Sequence, residues 1–163
     1  MINIFQPEIP KESINLLSQV FDSNWLGRGE LVNVFEEKVT NYLNIPREKF
    51  HTIASCSDVI FASMQIFAFQ KKSKVIIPAN SFPAIPSAII EAGHIPVIID
   101  IDLSTGNICM KALKEASVKY KDIKAIFITD YGGIPNDIPK IRNIINKDCK
   151  IFVDAAGSFG TFL

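Results

Sequence analysis

No excess of either charge exists in this chain: 17 Lys and Arg face 17 Asp and Glu over 163 residues. Without a net field, neither nucleic acid nor an acidic membrane is favoured as a partner. Cysteine is scarce as well. Cys56, Cys109 and Cys149 are odd in number, form no CxxC pair and show no metal-ligand spacing. That excludes a disulfide framework and the common zinc sites, and it fits a reducing, cytoplasmic setting. Long apolar runs are missing too. Stretches such as Ile95 to Ile101 hold proline and charge and fall far short of the roughly 20 residues that cross a bilayer. Met1 to Pro10 carries Glu8 and two prolines, so a secretion signal is not expected there. Internal repeats and low-complexity tracts are absent.

What remains is 48% apolar and 21% charged, the balance of a globular domain long enough to bury a core. Helical spacing opens the chain: Ile14, Leu17, Val20 and Phe21 share one face of a helix expected over Glu12–Phe21. A loop from Asp22 to Glu30, broken by Gly27 and Gly29, leads to a second amphipathic helix with Val32, Phe35, Val39 and Leu43 in line. The expected division is a helical segment over 1–50 and an α/β region over 51–163.

From residue 51 short apolar strands alternate with helices. The strands expected are Thr52–Ala54, Val75–Pro78, Pro96–Asp100, Ala125–Thr129 and Ile151–Val153. The helices expected between them are Ser57–Phe69, Pro83–Ala92, Lys111–Tyr120 and Asp137–Asn146. Continuous runs such as Val75-Ile76-Ile77-Pro78 suit strands buried on both faces, so the fold class is α/β with a mostly parallel, doubly wound sheet. The apolar ending Ser158 to Leu163 follows a strand directly and reads as a truncation.

In such a sheet a ligand binds beyond the carboxyl ends of the strands. Ser55-Cys56-Ser57-Asp58 opens a helix there. Free N–H groups and the Ser57 hydroxyl suit an anion such as phosphate, although Ser57 is equally a good N-cap and Asp58 complements the dipole. Phe82 follows the second strand, where an aromatic face either stacks on a flat ring or joins the core. Asp130 to Pro135 is a glycine-containing turn. Asp154 emerges from Ile-Phe-Val, and a carboxylate there needs a cation, several donors or a capping role.

Taken in order, these segments resemble the DegT/DnrJ/EryC1/StrS aminotransferases. The resemblance is carried by Trp25-Leu26-Gly27 through Phe35-Glu36, by Ser55-Cys56-Ser57-Asp58, and by Val75 to Ala84. Ala92-Gly93 through Pro96-Val97 to Asp100, and Asp154-Ala155-Ala156 with Gly160, complete it. It implies the incomplete large domain of a fold-type-I transferase using pyridoxal 5'-phosphate (PLP) and pyridoxamine 5'-phosphate (PMP). On that resemblance Cys56, Ser57 and Asp58 lie at the cofactor phosphate, Phe82 stacks on the ring and Asp154 pairs with its nitrogen.

The family's enzymes move an amino group from glutamate to a nucleotide-linked keto sugar, and they work as dimers. Three departures stand out: Cys56 replaces a turn glycine, Asp130 stands where many members have histidine, and Gly157 replaces a glutamine or histidine beside the ring oxygen. No lysine here occupies the family's Schiff-base position, so no catalytic residue is assigned. The chain is expected to be an amino-terminal portion that is inactive by itself. A PMP-dependent sugar dehydratase relative and a non-catalytic remnant with a binding or regulatory role are the alternatives.

Overall fold

The computed structural model describes residues 6–161, so Phe162 and Leu163 of the apolar ending lie outside the described residues. The chain forms two compact units, one up to Thr52 and one from Ile53.

In the first unit α1 spans Glu12–Asp22 and α2 spans Glu30–Leu43. Both helices form where the spacing predicts, but their apolar faces are not buried. Ile14, Leu17, Phe21 and Phe35 are all more than half exposed. The fully covered positions of α2 are Glu36 and Thr40 instead. Glu36 tolerates burial because it is saturated with donors. Arg28 reaches Oε2 at 2.5 Å, Arg47 also donates to Oε2, and the Thr52 N–H and hydroxyl donate to Oε1 at 2.7 Å each. A buried carboxylate is stable only when paired and hydrogen-bonded in this way. The α2 helix stops at Asn44, whose left-handed backbone (φ 52°) lets Ile45 N–H bond Thr40 O at 3.0 Å.

The second unit is a four-stranded, all-parallel sheet in the order β2-β1-β3-β4. Its elements are α3 (Cys56–Ile66), β1 (Lys74–Pro78), α4 (Ala84–Glu91), β2 (Ile95–Ile99), α5 (Met110–Lys119), β3 (Ile123–Thr129), α6 (Ile138–Ile144) and β4 (Lys150–Asp154). Alternation along the central strands sorts the core into two layers. Val75, Ile77, Ala125 and Phe127 pack under α3 and α4, while Ile76, Ile126 and Ile128 pack under α5 and α6. Each fully buried isoleucine contributes roughly 2 kcal/mol of hydrophobic stabilisation. The doubly wound α/β expectation holds.

Thr52–Ala54 is a correction: it is irregular, not a strand. Its residues have no ladder partner among the described residues, and Thr52 spends its N–H on Glu36. The α3 helix also ends three residues early. Ala68 takes a left-handed φ of 41°, freeing Phe67 to pack edge-on against Phe152 at 5.2 Å.

Candidate functional site

The strand order reverses between β1 and β3, which makes the carboxyl ends of those strands the crevice of the sheet. Asp154 closes β4 in register with Thr129 of β3. Since Phe152 packs in the layer under α3, alternation turns Asp154 to that side as well.

There Asp154 meets Cys56, the first residue of α3. The thiol Sγ lies 3.9 Å from Asp154 Oδ1, and the Ala156 N–H donates to the same oxygen at 3.1 Å. Oδ2 has no protein partner among the described residues. Burial first, then the Asp154 charge and hydrogen bond, hold the Cys56 thiol above its ordinary pKa, so it stays a neutral donor.

At the start of α3, Ser55 is the N-cap. Its Oγ accepts the Asp58 N–H at 3.1 Å and donates to Asp58 Oδ2 at 2.8 Å. The sequence suggested Ser57 as cap; Ser55 does that work and Ser57 does not. Asp58 is engaged with Ser55, while the N–H groups of Cys56 and Ser57 have no protein acceptor among the described residues. Cys56 has no positive φ, so its replacement of a turn glycine strains nothing here.

Phe82 lies at the same end of the sheet, on the β1–α4 loop. At 56% exposed it is not core, and its ring is open to a planar ligand. The structure therefore joins Cys56 to Asp154, keeps Ser57 beside Cys56, pairs Asp58 with the cap and leaves Phe82 apart on its loop.

The donor set fits a phosphate and an aromatic nitrogen cation: two free amides at a helix start, a hydroxyl, an open ring and a carboxylate with one unspent oxygen. Among the described residues no cluster of His, Cys, Asp or Glu could hold a metal ion, and no helix is long and apolar enough to cross a membrane. A groove of about 690 Å³ in the first unit, lined by Val20, Trp25, Leu26 and Leu31, is mainly apolar and far poorer in chemistry.

Sequence reasoning gave no role to Asn80, Asn107, Asn136 or Ser158 at the carboxyl end of the sheet, and it marked Asp130 only as the start of a glycine-containing turn and a departure from the family's histidine. Their signal was faint, being only Asn, Asp or Ser at or just beyond a strand end.

The model of the DegT/DnrJ/EryC1/StrS aminotransferase family matches residues 7–163. The dTDP-4-dehydro-2,3,6-trideoxy-D-glucose 4-aminotransferase of Saccharopolyspora spinosa is 30% identical over 147 residues, 90% of this chain and 38% of that protein. The solved aminotransferase TlmJ of Streptoalloteichus hindustanus superposes with a TM-score of 0.89 at 30% identity, covering 97% of this chain and 43% of that one. An E. coli GDP-4-keto-6-deoxy-D-mannose-3-dehydratase with bound hydrated PLP gives 0.83 at 23% identity, with 94% and 41% covered, and shares the fold. This chain spans about two fifths of the length of the relatives it matches.

Proposed function

Because this chain belongs to the DegT/DnrJ/EryC1/StrS aminotransferase family, we propose that it is the amino-terminal part of a nucleotide-sugar aminotransferase. The parent enzyme uses PLP and PMP in the cytoplasm to carry an amino group from glutamate to a keto sugar. The observation that carries this is Asp154, set at the end of β4 beside the α3 start with Oδ1 engaged and Oδ2 unspent.

Bound there, the cofactor supplies an electron sink that stabilises negative charge on the substrate carbon. Each residue of this chain has a narrower task. Asp154 keeps the ring nitrogen protonated by ion pairing. The Cys56 and Ser57 amides, with the Ser57 hydroxyl, take the phosphate on the helix dipole. Asp58, through the Ser55 cap, holds those amides in place. Phe82, exposed on its loop, would stack on the ring.

The amine that would hold the cofactor and shuttle the proton is outside these 163 residues, so the chain by itself is expected to bind and not to turn over. Self-association belongs to the same reading. Phe21, Leu26 and Phe35 are exposed by 53–73%, apolar surface that a second copy would cover. The same cradle would serve a dehydratase working with PMP, and the residue at the lysine position separates the two.

The test is a titration with PMP, followed by absorbance and by the thermal midpoint. Saturable binding that weakens at least about tenfold in Asp154→Ala, roughly 1.4 kcal/mol, is the expected result. Equal affinity in the two proteins would remove Asp154 from the site.

A further inference from the structure

Four loops close the carboxyl end of the sheet, and side-chain hydrogen bonds tie each to its neighbour. After β1, Asn80 Nδ2 donates to Gly106 O at 2.7 Å. Beside it Asn107 accepts the Tyr131 N–H at 3.0 Å and donates to Ile134 O at 2.9 Å, which joins the loop after β2 to the loop after β3. Asp130 makes the last link. Its Oδ1 accepts the N–H and Nδ2 of Asn136, and its Oδ2 accepts the Ser158 hydroxyl, all at 2.9 Å. Asp130 is 8% exposed and Ser158 6%. A carboxylate so deeply placed persists only with donors of this number.

The Ser158 bond bears directly on the turn that begins at Asp154. Ser158 N–H donates to Ala155 O at 3.0 Å, and Ala156 N–H holds Asp154 Oδ1. At the other end the Asp130 N–H donates to Asp154 O at 3.0 Å. Asp130 therefore grips residues 154–158 at both ends. The two loops touch backbone to backbone: a Cβ on Gly133 would stand 3.3 Å from Gly157 O.

We propose that Asp130 is a positioning residue for Asp154, locking the 154–158 turn so that the Asp154 carboxylate is held in one direction beside the start of α3. The use of that direction rests on the reading of Asp154 as the partner of a ring nitrogen. Both Asp130 carboxylate oxygens are engaged by Asn136 and Ser158, so its assigned role is exerted through the turn. Its effect is to remove the rotational freedom that an unheld carboxylate would lose on binding.

The experiment reads the direction of Asp154 without any cofactor, through its neighbour Cys56. The rate of Cys56 alkylation by iodoacetamide is followed against pH, by mass of the Cys56 peptide, in the 163-residue chain. Asp154→Asn removes the charge facing the thiol and should raise the rate at pH 8 by roughly three- to tenfold, the thiolate gain from up to about one unit of pKa. Asp130→Ala should move the profile the same way, Ser158→Ala by a smaller step, and Asp130→Asn, which keeps an acceptor for Asn136, should return it toward wild type.

Ser158→Ala leaves the backbone intact and decides the matter if Asp130→Ala does not fold. An Asp130→Ala or Ser158→Ala profile identical to wild type, with Asp154→Asn shifted, overturns the proposal. So does an Asp154→Asn profile that does not move. A parallel PMP titration separates the two readings. Thiol profiles as expected without PMP binding uphold the positioning role and remove the cofactor assignment.

Discussion

The thiol of Cys56 and the carboxylate of Asp154, 98 positions apart in the chain, meet at 3.9 Å where the first turn of α3 passes the end of β4. The thiol keeps its proton because burial and the neighbouring charge disfavour the thiolate. Any ligand occupying this corner must come between the two groups or lie over both.

Bound PMP should therefore protect Cys56 from alkylation. Cys149, 2% exposed and pushed up to about 11 mainly by burial, should stay unlabelled with or without ligand until the chain unfolds. Quantifying the two modified peptides by mass at increasing PMP checks both. Equal Cys56 labelling at saturating PMP would place the cofactor elsewhere.

Glu36 is the polar centre of the first unit, holding Arg28, Arg47 and Thr52. Glu36→Ala should destabilise by about 2–4 kcal/mol, toward the lower side because both guanidinium groups retain access to water. Glu36→Gln should lose less, since it keeps an acceptor for Thr52. Urea unfolding followed by the fluorescence of Trp25 measures both, and an unchanged midpoint in Glu36→Ala would show the cluster to be inert.

Gly106 has φ +73°, and a Cβ there would come 2.6 Å from Tyr131 Cδ1. Gly106→Ala should cost about 1 kcal/mol for the backbone, with a further loss from displacing the ring. In the double variant Gly106→Ala, Tyr131→Ala only the ring component should be relieved, which a double-mutant cycle isolates. Strict additivity of the two changes would mean that the ring swings away freely.

His94 lies buried against Phe69, its Nδ1 without a partner, and its pKa is lowered by burial and then by Lys71. A histidine depressed in the folded state adds stability at pH above its unfolded value. That stability is lost as pH falls through the folded value. Stability of the wild type should thus decline from about pH 6.5 downward, and His94→Gln should flatten that decline. Urea midpoints at pH 7.5, 6.0 and 5.0 check it; parallel slopes would exclude His94 as the cause.

The sheet was legible because its central strands, β1 and β3, are apolar on both faces and could be nothing else in an alternating βα chain. Asp154 was legible for a related reason, as a lone carboxylate ending an apolar run. Thr52–Ala54 has the same look but no ladder partner among the described residues, and spacing alone does not report pairing. Glu36 was invisible because its partners come from 8, 11 and 16 positions away, while helical spacing marked Phe35 as the inward residue. Asp130 was visible as the start of a strand-end turn, but its tie to Ser158 was not, since burial by neighbouring loops leaves no periodic trace. Asp58, placed at the phosphate by the family resemblance, is engaged with the Ser55 cap, an arrangement that depends on which serine starts the helix.

The linked loops also set terms for anyone who would redesign this fold. Exchanging the loop after β3 for one from a relative strands Asn107 on one side and Ser158 on the other, leaving buried polar groups without mates. Compatible grafts would have to carry Asn107, Asp130, Asn136 and Ser158 together as one cassette. Variation in this part of the molecule should therefore be inherited in blocks, with the free choices confined to exposed positions such as Leu103 and Phe159.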